Sequence, residues 1–530
     1  MEFINIKNLN YYYPNENEKA LDNINLNIEK GELVLITGKS GSSKSTLGKA
    51  ITGAVPNFYG GRIGGEILIN QTDIKELKDG DRAKLVTMVL QHPEKSFLMD
   101  KVHREIAFGL ENIAYDEKGI KRRVFEALEF CNILDLAYRN IDTLSGGEKQ
   151  KLAIAAALSY SPECIILDEP TSQLDPSAAE EIVNIIKKIN KELFITIMVI
   201  EQRTNKWLMA ADRVLFMENG KISLDGSREE FYQSKIHKYN EFLPSYLRLL
   251  KRLNIGYKNS LKEAKEALNG IKVNKIENKI YPGNTLISIK NLKAGYGDRN
   301  VLDGINLDIK QGDFLGIIGS NGAGKTTLLK SVLNLIPYKG SVKISGIEAS
   351  KMSLKEIGRE IGYISQNPND YIWKDTVYEE VKFTLSNYSI EDEDLVNQTL
   401  KQLDIYKYKD KNPRDLSGGE LQRLAMAAVL VLKPKILILD EITRGIDPIL
   451  KKRISGLLKK INESGTTIII VTHDIENAAL LCKNLALIIN GEIVSYGSRD
   501  QVLKDGIYYS TDINKLFKNN VYLEEEVKNV

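Results

Sequence analysis

The feature that most constrains this sequence is a phosphate-binding loop that occurs twice. The second copy reads GSNGAGKTT at 319–327 and the first reads GKSGSSKST at 38–46; each follows a short apolar run. A glycine-rich loop between a strand and a helix curls backbone N–H groups around an anion, while its lysine reaches the β- and γ-phosphates and the next hydroxyl can bind magnesium. Each copy therefore predicts a nucleoside triphosphate site, and the pair predicts an internal duplication.

Length and composition set the domain count. A repeat period of roughly 270 to 280 residues within 530 favours two large domains and a connector. We predict a first domain at 1–232, a connector with helical pieces at 233–285, and a second domain with a C-terminal extension at 286–530. The net charge of +2 gives no general attraction to nucleic acid or anionic lipid.

The apolar runs and the cysteines of the sequence indicate neither a membrane helix nor a disulfide framework. No apolar run approaches the ~18 residues that a membrane helix needs. We therefore expect another chain to supply any membrane span. The three cysteines have no C-x-x-C spacing, which favours a reducing compartment and predicts neither a disulfide framework nor a zinc site.

Alternating apolar and polar residues precede each phosphate loop. The blocks at 3–9 and 21–28 recur at 286–292 and 301–309, and they predict antiparallel strands with one exposed face. Between the blocks stand Tyr13 in the first half and Tyr296 in the second. A ring just upstream of a phosphate loop can stack on an adenine base, so these are candidate base contacts; a core or surface role for Tyr13 stays open.

Three further motifs follow each phosphate loop in the same order. First comes a glutamine after a strand, Gln91 or Gln366, whose amide can bind magnesium or the attacking water. Next comes Leu-Ser-Gly-Gly-Glu at 144–148 and 416–420, which predicts a helix start that can bind an anion. The alternative is that Ser145 and Glu148 only cap a helix. A cap alone does not explain why the whole Leu-Ser-Gly-Gly-Glu motif recurs.

An apolar strand ending in two acids completes each series. Asp168 and Asp440 can hold magnesium through water, and Glu169 and Glu441 can act as general base on the attacking water. After the next strand stands His473 in the second half, which can donate to a γ-phosphate oxygen. Gln202 occupies that place in the first half and can donate but cannot carry charge.

The order and spacing of these motifs, taken twice, resemble the ATP-binding cassette (ABC) ATPase domain across nearly the whole chain. The resemblance implies an α/β fold with two P-loop, RecA-like domains, each with an antiparallel β subdomain and a helical subdomain that carries the signature. It also implies ATP and Mg²⁺ as cofactors, ATP hydrolysis, and intramolecular head-to-tail pairing. Each ATP would then lie between the phosphate loop of one cassette and the signature of the other.

The resemblance assigns the candidate residues. The catalytic candidates are Glu169, Glu441, His473, Gln202, Gln91 and Gln366. The candidate magnesium ligands are Ser45, Gln91, Asp168, Thr326, Gln366 and Asp440. The candidate nucleotide-binding residues are Tyr13, Gly38, Ser40, Gly41, Ser43, Lys44, Ser45, Thr46, Ser145, Gly146, Gly147, Tyr296, Gly319, Asn321, Gly322, Gly324, Lys325, Thr326, Thr327, Ser417, Gly418 and Gly419.

Three positions depart from the family pattern. Ser43 replaces the glycine before the lysine, and a side chain at positive φ costs on the order of 1 to 2 kcal/mol. Gln202 replaces the histidine, and Ile442 replaces the usual proline after Glu441. Because Ser43 and Gln202 both belong to the first set of residues, we predict unequal sites, with the second hydrolysing ATP faster.

The stretch that follows Gln91 is similar to the corresponding stretch in the ATPases of energy-coupling-factor (ECF) importers for vitamins and metal ions. It comprises Gln-x-Pro, an apolar cluster, and Val-x-x-Glu-Ile-Ala-Phe-Gly-Leu-Glu-Asn, which ends at 112; Glu-Gln-Arg at 201–203 adds to the likeness. The resemblance implies a peripheral subunit on the cytoplasmic face of the membrane. Its partners would be an integral-membrane scaffold protein and a substrate-binding membrane subunit, with no specific nucleic acid.

The docking groove for such a scaffold has its own candidates. Phe97 and Trp373 are the better ones, whereas Phe108 and Phe383 fit a core role at least as well. Two other functions stay open: the ATPase of another importer, such as a sugar system, and a soluble tandem-cassette translation factor that acts on ribosomes.

Overall fold

The structure is a computed structural model that describes residues 2–271, 283–297, 299–443, 445–517 and 521–527. These residues divide into two compact units. The first comprises the chain up to Leu247 together with Asp447–Ile449, and the second comprises Arg248–Ile446 and the chain from Leu450 onward. The sequence also predicts a turn at 282–284, of which Pro282 lies outside the described residues.

The first unit contains two sheets. One has four strands in the order β2-β1-β4-β5, and the other has six in the order β10-β9-β3-β8-β7-β6. The strands are β1 Glu2–Tyr12, β2 Leu21–Glu29, β3 Leu33–Gly38, β4 Arg62–Ile69, β5 Thr72–Asp73, β6 Val86–Val89, β7 Cys164–Asp168, β8 Thr196–Ile200, β9 Arg213–Glu218 and β10 Lys221–Ser227.

The two sheets differ as their sequences predict. In β2 buried and exposed residues alternate, and its pairing with β1 is antiparallel, so this small sheet has one exposed face. In β3, β7 and β8 every residue is buried, and the three strands pair in parallel. The carboxyl ends of these parallel strands therefore meet at one edge, where the phosphate loop, the acid pair and Gln202 follow them.

The helices of the first unit are α1 Lys44–Ile51, α2 Ala54–Asn57, α3 Asp79–Leu85, α4 Val102–Asn112, α5 Glu117–Phe130, α6 Gly146–Ser159, α7 Pro176–Leu193, α8 Arg228–Gln233 and α9 His237–Asn240. Helices α4, α5 and α6 pack on one another and form a helical subdomain. The helical periodicity at 117–139 predicts a longer α5 than the structure has. Asn132 takes a φ of 55° and a short 3₁₀ turn, Leu134–Leu136, follows, so the regular helix ends at Phe130.

Three helices lie wholly within the described part of the predicted connector. They are α9 and two more, α10 Ser245–Arg252 and α11 Leu261–Ala267; the sequence pattern predicts helical pieces at 246–253 and 260–268. Ser260 caps α11 because its side chain accepts the N–H of Glu263 at 3.2 Å.

The second unit repeats the plan of the first. Its sheets have the orders β12-β11-β14-β15 and β16-β17-β18-β13-β19-β20. Its strands are β11 Thr285–Tyr296, β12 Arg299–Lys310, β13 Phe314–Ile318, β14 Tyr338–Ile344, β15 Ile347–Glu348, β16 Ile361–Ile364, β17 Ile436–Asp440, β18 Thr467–Thr472, β19 Asn484–Ile489 and β20 Glu492–Ser498.

The helices of the second unit are α12 Lys325–Val332, α13 Leu354–Glu360, α14 Val377–Asn387, α15 Glu393–Gln402, α16 Gly418–Leu430, α17 Pro448–Glu463, α18 Ile475–Leu481, α19 Arg499–Val502 and α20 Asp512–Phe517. Helices α14, α15 and α16 form its helical subdomain. The predicted fold class is thereby confirmed: two α/β units, each with an antiparallel β subdomain and a helical part. Within the described ranges, no helix combines the length and the apolar character needed to cross a membrane.

The end of the chain packs into the second unit. Tyr522 is fully buried, and Arg499 forms an ion pair with Glu526 at 2.7 Å with both side chains largely shielded from water. Arg248, in α10, pairs with Glu524 at 2.9 Å. A buried ion pair loses much hydration when it forms, so these contacts fix the position of 521–527 more than they add stability.

Candidate functional site

The two phosphate loops hold their lysines in the same way. Lys44 Nζ donates to the carbonyls of Gly38 and Lys39 at 3.0 and 2.7 Å. Lys325 Nζ donates to Gly319 and Ser320 at 3.0 and 2.8 Å. Both lysines are buried, and burial lowers the pKa of Lys44. A buried cation gains from an anionic ligand, so both loops fit a phosphate.

The first glycine of each loop is required by close approach of the backbone. A Cβ on Gly38 would lie 2.1 Å from the carbonyl oxygen of Met217, and one on Gly319 would lie 2.4 Å from that of Ile488. The loop tips, by contrast, are open to solvent at Ser40, Gly41, Asn321 and Gly322, while Thr46 and Thr327 are buried inside the helices that follow.

Ser43 takes the strained backbone that its place in the loop demands. Its φ is 70°, in the left-handed region, and its counterpart Gly324 has a φ of 102°. The predicted cost of a side chain at positive φ therefore applies to the first loop. At Gly324 a Cβ would in addition lie 2.7 Å from Leu302 Cδ2.

The candidate magnesium ligands meet in pairs. Ser45 Oγ donates to Asp168 Oδ1 at 2.9 Å, and Thr326 Oγ1 donates to Asp440 Oδ2 at 3.1 Å. Hydroxyl and carboxylate oxygens are the donors that Mg²⁺ prefers, and one ion could contact both members of a pair. Burial raises the pKa of Asp168 and of Asp440, a cost that a bound cation would offset. The residues present therefore fit a magnesium ion.

The first catalytic candidate, Glu169, lies between two glutamine amides. Gln91 Nε2 donates to Glu169 Oε2 at 2.6 Å, and Gln202 Nε2 donates to Oε1. The backbone N–H of Glu169 donates to Ile200 at 2.8 Å. Burial raises the pKa of Glu169, and the negative charges of Glu201 and Asp168 raise it further.

The second catalytic candidate, Glu441, has a different neighbour. His473 Nδ1 lies 3.4 Å from Glu441 Oε1, and both side chains are buried. The φ of Glu441 is 51° against 46° for Glu169, so the backbone keeps its conformation although Ile442 replaces proline. Gln366 is exposed, whereas its counterpart Gln91 is half-buried against Glu169.

Each Leu-Ser-Gly-Gly-Glu motif begins a helix at its first glycine. The backbone N–H of Ser145 donates to Glu148 at 2.7 Å, and that of Ser417 donates to Glu420 at 2.9 Å. Gly146 and Gly147 therefore form the first turn of α6, and Gly418 and Gly419 form that of α16. The capping interaction considered for Ser145 is present, and it positions the serine at a helix N-terminus.

The two tyrosines lie in different surroundings. Tyr13 is half-buried, its hydroxyl lies 2.9 Å from Thr46 Oγ1, and its ring packs edge-on against Tyr11. It therefore lies beside the phosphate loop. Tyr296 is 50% exposed, with Lys330 Nζ 6.0 Å from its ring centre.

Sequence reasoning missed one buried group at the first unit's acid pair. Glu201, at the end of β8, is fully buried, and its carboxylate accepts hydrogen bonds from Thr171. The sequence treats Glu201 only as part of a motif. A comparison of the halves could have found it, because Thr472 holds the same place before His473.

A phosphate loop and a strand-end acid pair on a parallel sheet, present in both units, define a P-loop nucleotide hydrolase. Comparison with known sequences narrows this class. Residues 21–172 and 302–444 match the family described as ABC transporter. These segments cover more than half of the chain, which therefore belongs to the ABC transporter family and carries two of its ATPase domains, or cassettes. As members of this family do, it hydrolyses ATP.

Relatives of full length support this assignment. A protein of Bacillus anthracis is 34% identical over 527 residues, covering 97% of this chain and 95% of the relative. One from Methanosarcina mazei is 35% identical over 527 residues, covering 94% and 89%. One from Clostridium tetani is 39% identical over 422 residues, covering 79% and 96%. All three are named as ABC transporter ATP-binding proteins.

One solved structure supports the fold, and a second is similar over part of the chain. The archaeal ribosome recycling factor aABCE1, solved in complex with the ribosomal stalk protein aP1, is 24% identical and has a TM-score of 0.61; the match covers 93% of this chain and 91% of that one. At this identity the likeness shows the fold alone. The structure of cbiO1 from Clostridium perfringens is 31% identical with a TM-score of 0.41, over 47% of this chain and 100% of that one.

Proposed function

We propose that this chain is the ATP-hydrolysing subunit of an ECF-type importer for a vitamin or metal ion. It works at the cytoplasmic face of the membrane with an integral-membrane scaffold protein and a substrate-binding membrane subunit. Its family membership supports ATP hydrolysis. The stretch that follows each glutamine supports the choice of importer.

The observation that carries the proposal is a docking loop built in the same way in both cassettes. Between the glutamine and the next helix, the loop displays one large apolar side chain: Leu98 is 70% exposed and Trp373 is 72% exposed. A buried or half-buried glutamate from the following helix fixes each loop. Glu105 accepts the N–H groups of Leu98 and Met99 at 2.9 and 2.8 Å.

The second cassette uses the same construction. Glu380 accepts the N–H groups of Trp373 and Lys374 at 2.7 and 2.8 Å. Glu105 and Glu380 are the glutamates of the Val-x-x-Glu motif that begins α4 and α14. A carboxylate that holds two N–H groups fixes the loop backbone, so the exposed apolar side chain is held in place without being packed.

A large apolar side chain held in solvent at a fixed position suits a protein partner. Trp is among the residues that most often dominate binding energy at such contacts. We propose that Leu98 and Trp373 contact a helix of the scaffold protein. Phe97, Phe108 and Phe383 are half-buried, and Lys374 Nζ lies 4.1 Å from the ring centre of Phe383, which favours a packing role for Phe383.

The same loop gives docking a connection to nucleotide. In the first cassette, Gln91 and Leu98 both lie in the connection between β6 and α4, and Gln91 donates to Glu169. We propose that Lys44 and Lys325 hold phosphate, that Ser45, Asp168, Thr326 and Asp440 hold magnesium, and that Glu169 and Glu441 activate water. A change at Glu169 during hydrolysis would then reach the docking loop through Gln91.

Affinity purification tests the proposal. The tagged chain is purified from membranes of its host in mild detergent, and the proteins that co-purify are identified. We expect an integral-membrane scaffold protein together with a small membrane protein that identifies the cargo. Recovery of ribosomes without a membrane protein would overturn the proposal in favour of a translation factor, and a sugar-type permease would make it another importer.

Variants of the docking loop sharpen the test. Trp373→Ala and Leu98→Ala should lose the scaffold protein while nucleotide binding is retained. Phe58→Ala is the matched control, because Phe58 is also exposed and aromatic but lies outside the docking loop. If the control loses the scaffold protein to the same extent, exposed apolar area in general and not the docking loop accounts for the binding.

A further inference from the structure

The first cassette contains a buried carboxylate that ties two functional loops together. Glu201 is fully buried at the end of β8. Its Oε2 accepts the Thr171 hydroxyl at 2.5 Å and the Thr171 N–H at 3.3 Å. Its Oε1 accepts the N–H groups of Gln202 and Arg203 at 3.1 and 3.4 Å. One side chain therefore receives four donors from two segments.

The two segments carry the residues that meet at the catalytic carboxylate. Thr171 lies in the loop that follows Glu169, and Gln202 begins the loop that follows β8. Thr171 is itself fixed from the other side, because the fully buried Trp207 donates its indole N–H to Thr171 Oγ1 at 3.0 Å. The series of hydrogen bonds from Trp207 through Thr171 to Glu201 thus ends at the residue next to Gln202.

The second cassette lacks this acid. Thr472 stands at the same strand end, and its Oγ1 accepts the N–H of Asp474 at 3.0 Å, within its own loop. A threonine hydroxyl has no charge to bury. An acid kept in a fully buried position costs hydration free energy unless donors satisfy it, so its presence in one cassette alone calls for a local role.

We propose that Glu201 is a positioning residue for ATP hydrolysis in the first cassette. By holding Thr171 and the backbone of Gln202 and Arg203, it sets the Gln202 amide against Glu169. It contacts neither the phosphate loop nor the candidate magnesium ligands in any hydrogen bond between described residues. Its effect is therefore on the catalytic step and not on ATP binding.

Kinetics of the first cassette test this role. In a Glu441→Gln chain, first-cassette turnover is the part that an added Glu169→Gln removes, and it is measured at steady state over a range of ATP concentrations. There Glu201→Gln should lower kcat about tenfold and leave KM for ATP within about twofold, since only an interaction that acts in the transition state is removed. Loss through KM alone would overturn the proposal.

A double-mutant cycle separates positioning from general structural support. If Glu201 acts through Gln202, then Glu201→Gln should change kcat by less than about twofold when Gln202→Ala is already present. An equal loss in both backgrounds would mean that Glu201 supports the fold without positioning Gln202, and would overturn the proposal. Thr171→Val should lower kcat about threefold and be non-additive with Glu201→Gln.

Asp212→Asn serves as a control variant, and the fluorescence of Trp207 serves as a second measurement. Asp212→Asn makes the same acid-to-amide change at the start of β3, where Asp212 accepts the Leu33 N–H at 3.0 Å, and should leave kcat unchanged. The chain has two tryptophans, so a Trp373→Phe chain reports Trp207 alone. Glu201→Gln should shift its fluorescence; unchanged emission would mean that Thr171 is held without Glu201, and would overturn the proposal even if the first cassette turns over no ATP.

Discussion

The two cassettes hold their catalytic glutamates on the same backbone but give them different partners. Glu169 and Glu441 both follow a fully buried strand, both have positive φ, and both donate their N–H to the neighbouring strand, at Ile200 and Val471. At the side chains the likeness ends. Glu169 receives two glutamine amides, whereas Glu441 has the imidazole of His473 beside it.

This difference has a chemical consequence. A glutamine amide can donate a hydrogen bond but cannot gain a charge, whereas an imidazole can donate, accept or become a cation as charge develops. In the first cassette, two amides donate to the oxygens of Glu169 and orient it, but neither amide can become a cation. The fold therefore sets the backbone of both centres, and the side chains around each glutamate distinguish them; we expect these side chains to set the two rates.

The largest expected effect compares the two glutamates directly. Because a general base contributes about 10²-fold or more, Glu441→Gln should lower steady-state ATP hydrolysis by about 100-fold, and Glu169→Gln by less than about threefold. Steady-state ATPase assays on the purified full chain measure both. Nucleotide binding, measured by filter retention, should persist in each variant.

Equal losses in the two variants would contradict this prediction. That result would mean that the cassettes hydrolyse at matched rates, or only together, and that the different partners of Glu169 and Glu441 do not set their rates.

The second prediction exchanges the partners. His473→Ala should lower steady-state turnover by about 10- to 100-fold, because it removes a donor that acts as charge develops on the γ-phosphate, and Gln202→Ala by less than about threefold. The ATPase assay again measures both. Gln202→His tests whether the difference is chemical: in a Glu441→Gln chain it should raise first-cassette turnover, and a further loss would show that the first cassette cannot use an imidazole.

The sequence predicts where the backbone places Glu169 and Glu441, but it does not predict which side chains contact each of them. Strand-end acids and the phosphate loops follow from local patterns. The family resemblance puts Asp168 and Ser45 in one magnesium site, and in the structure the two side chains are hydrogen-bonded. Which glutamine reaches its glutamate depends on loop conformation. Gln91 and Gln366 have the same motif, yet one is half-buried and the other exposed.

The contacts of Glu201 could not be predicted from the sequence, because they depend on packing between residues far apart in the chain. Glu201 is bonded to Thr171, and Thr171 to Trp207, and nothing in the spacing of these residues indicates that they meet. The end of α5 was also beyond local periodicity, since apolar spacing continues past Phe130 while the chain turns at Asn132.

The third prediction uses the raised pKa of Glu169. A carboxyl group acts as a base only when ionised, so a raised pKa moves the acid limb of kcat/KM to higher pH than an ordinary glutamate would give. In a Glu441→Gln chain, first-cassette kcat/KM should therefore rise as the pH passes through the raised pKa of Glu169. Glu201→Gln removes a neighbouring negative charge, which should move the limb to lower pH. A limb that stays in place would show that the charge of Glu201 does not reach Glu169.

The smallest expected effect concerns the phosphate loops themselves. Ser43 pays for a left-handed backbone that Gly324 adopts freely, so Ser43→Gly should stabilise the first cassette by about 1 kcal/mol. The reverse change, Gly324→Ser, should destabilise the second cassette by more than that, because its Cβ would also lie 2.7 Å from Leu302 Cδ2. Denaturant unfolding of the full chain measures both. Equal and opposite shifts would mean that backbone conformation alone separates the loops, whereas a larger loss at Gly324 shows that the second loop is also packed too closely for a side chain.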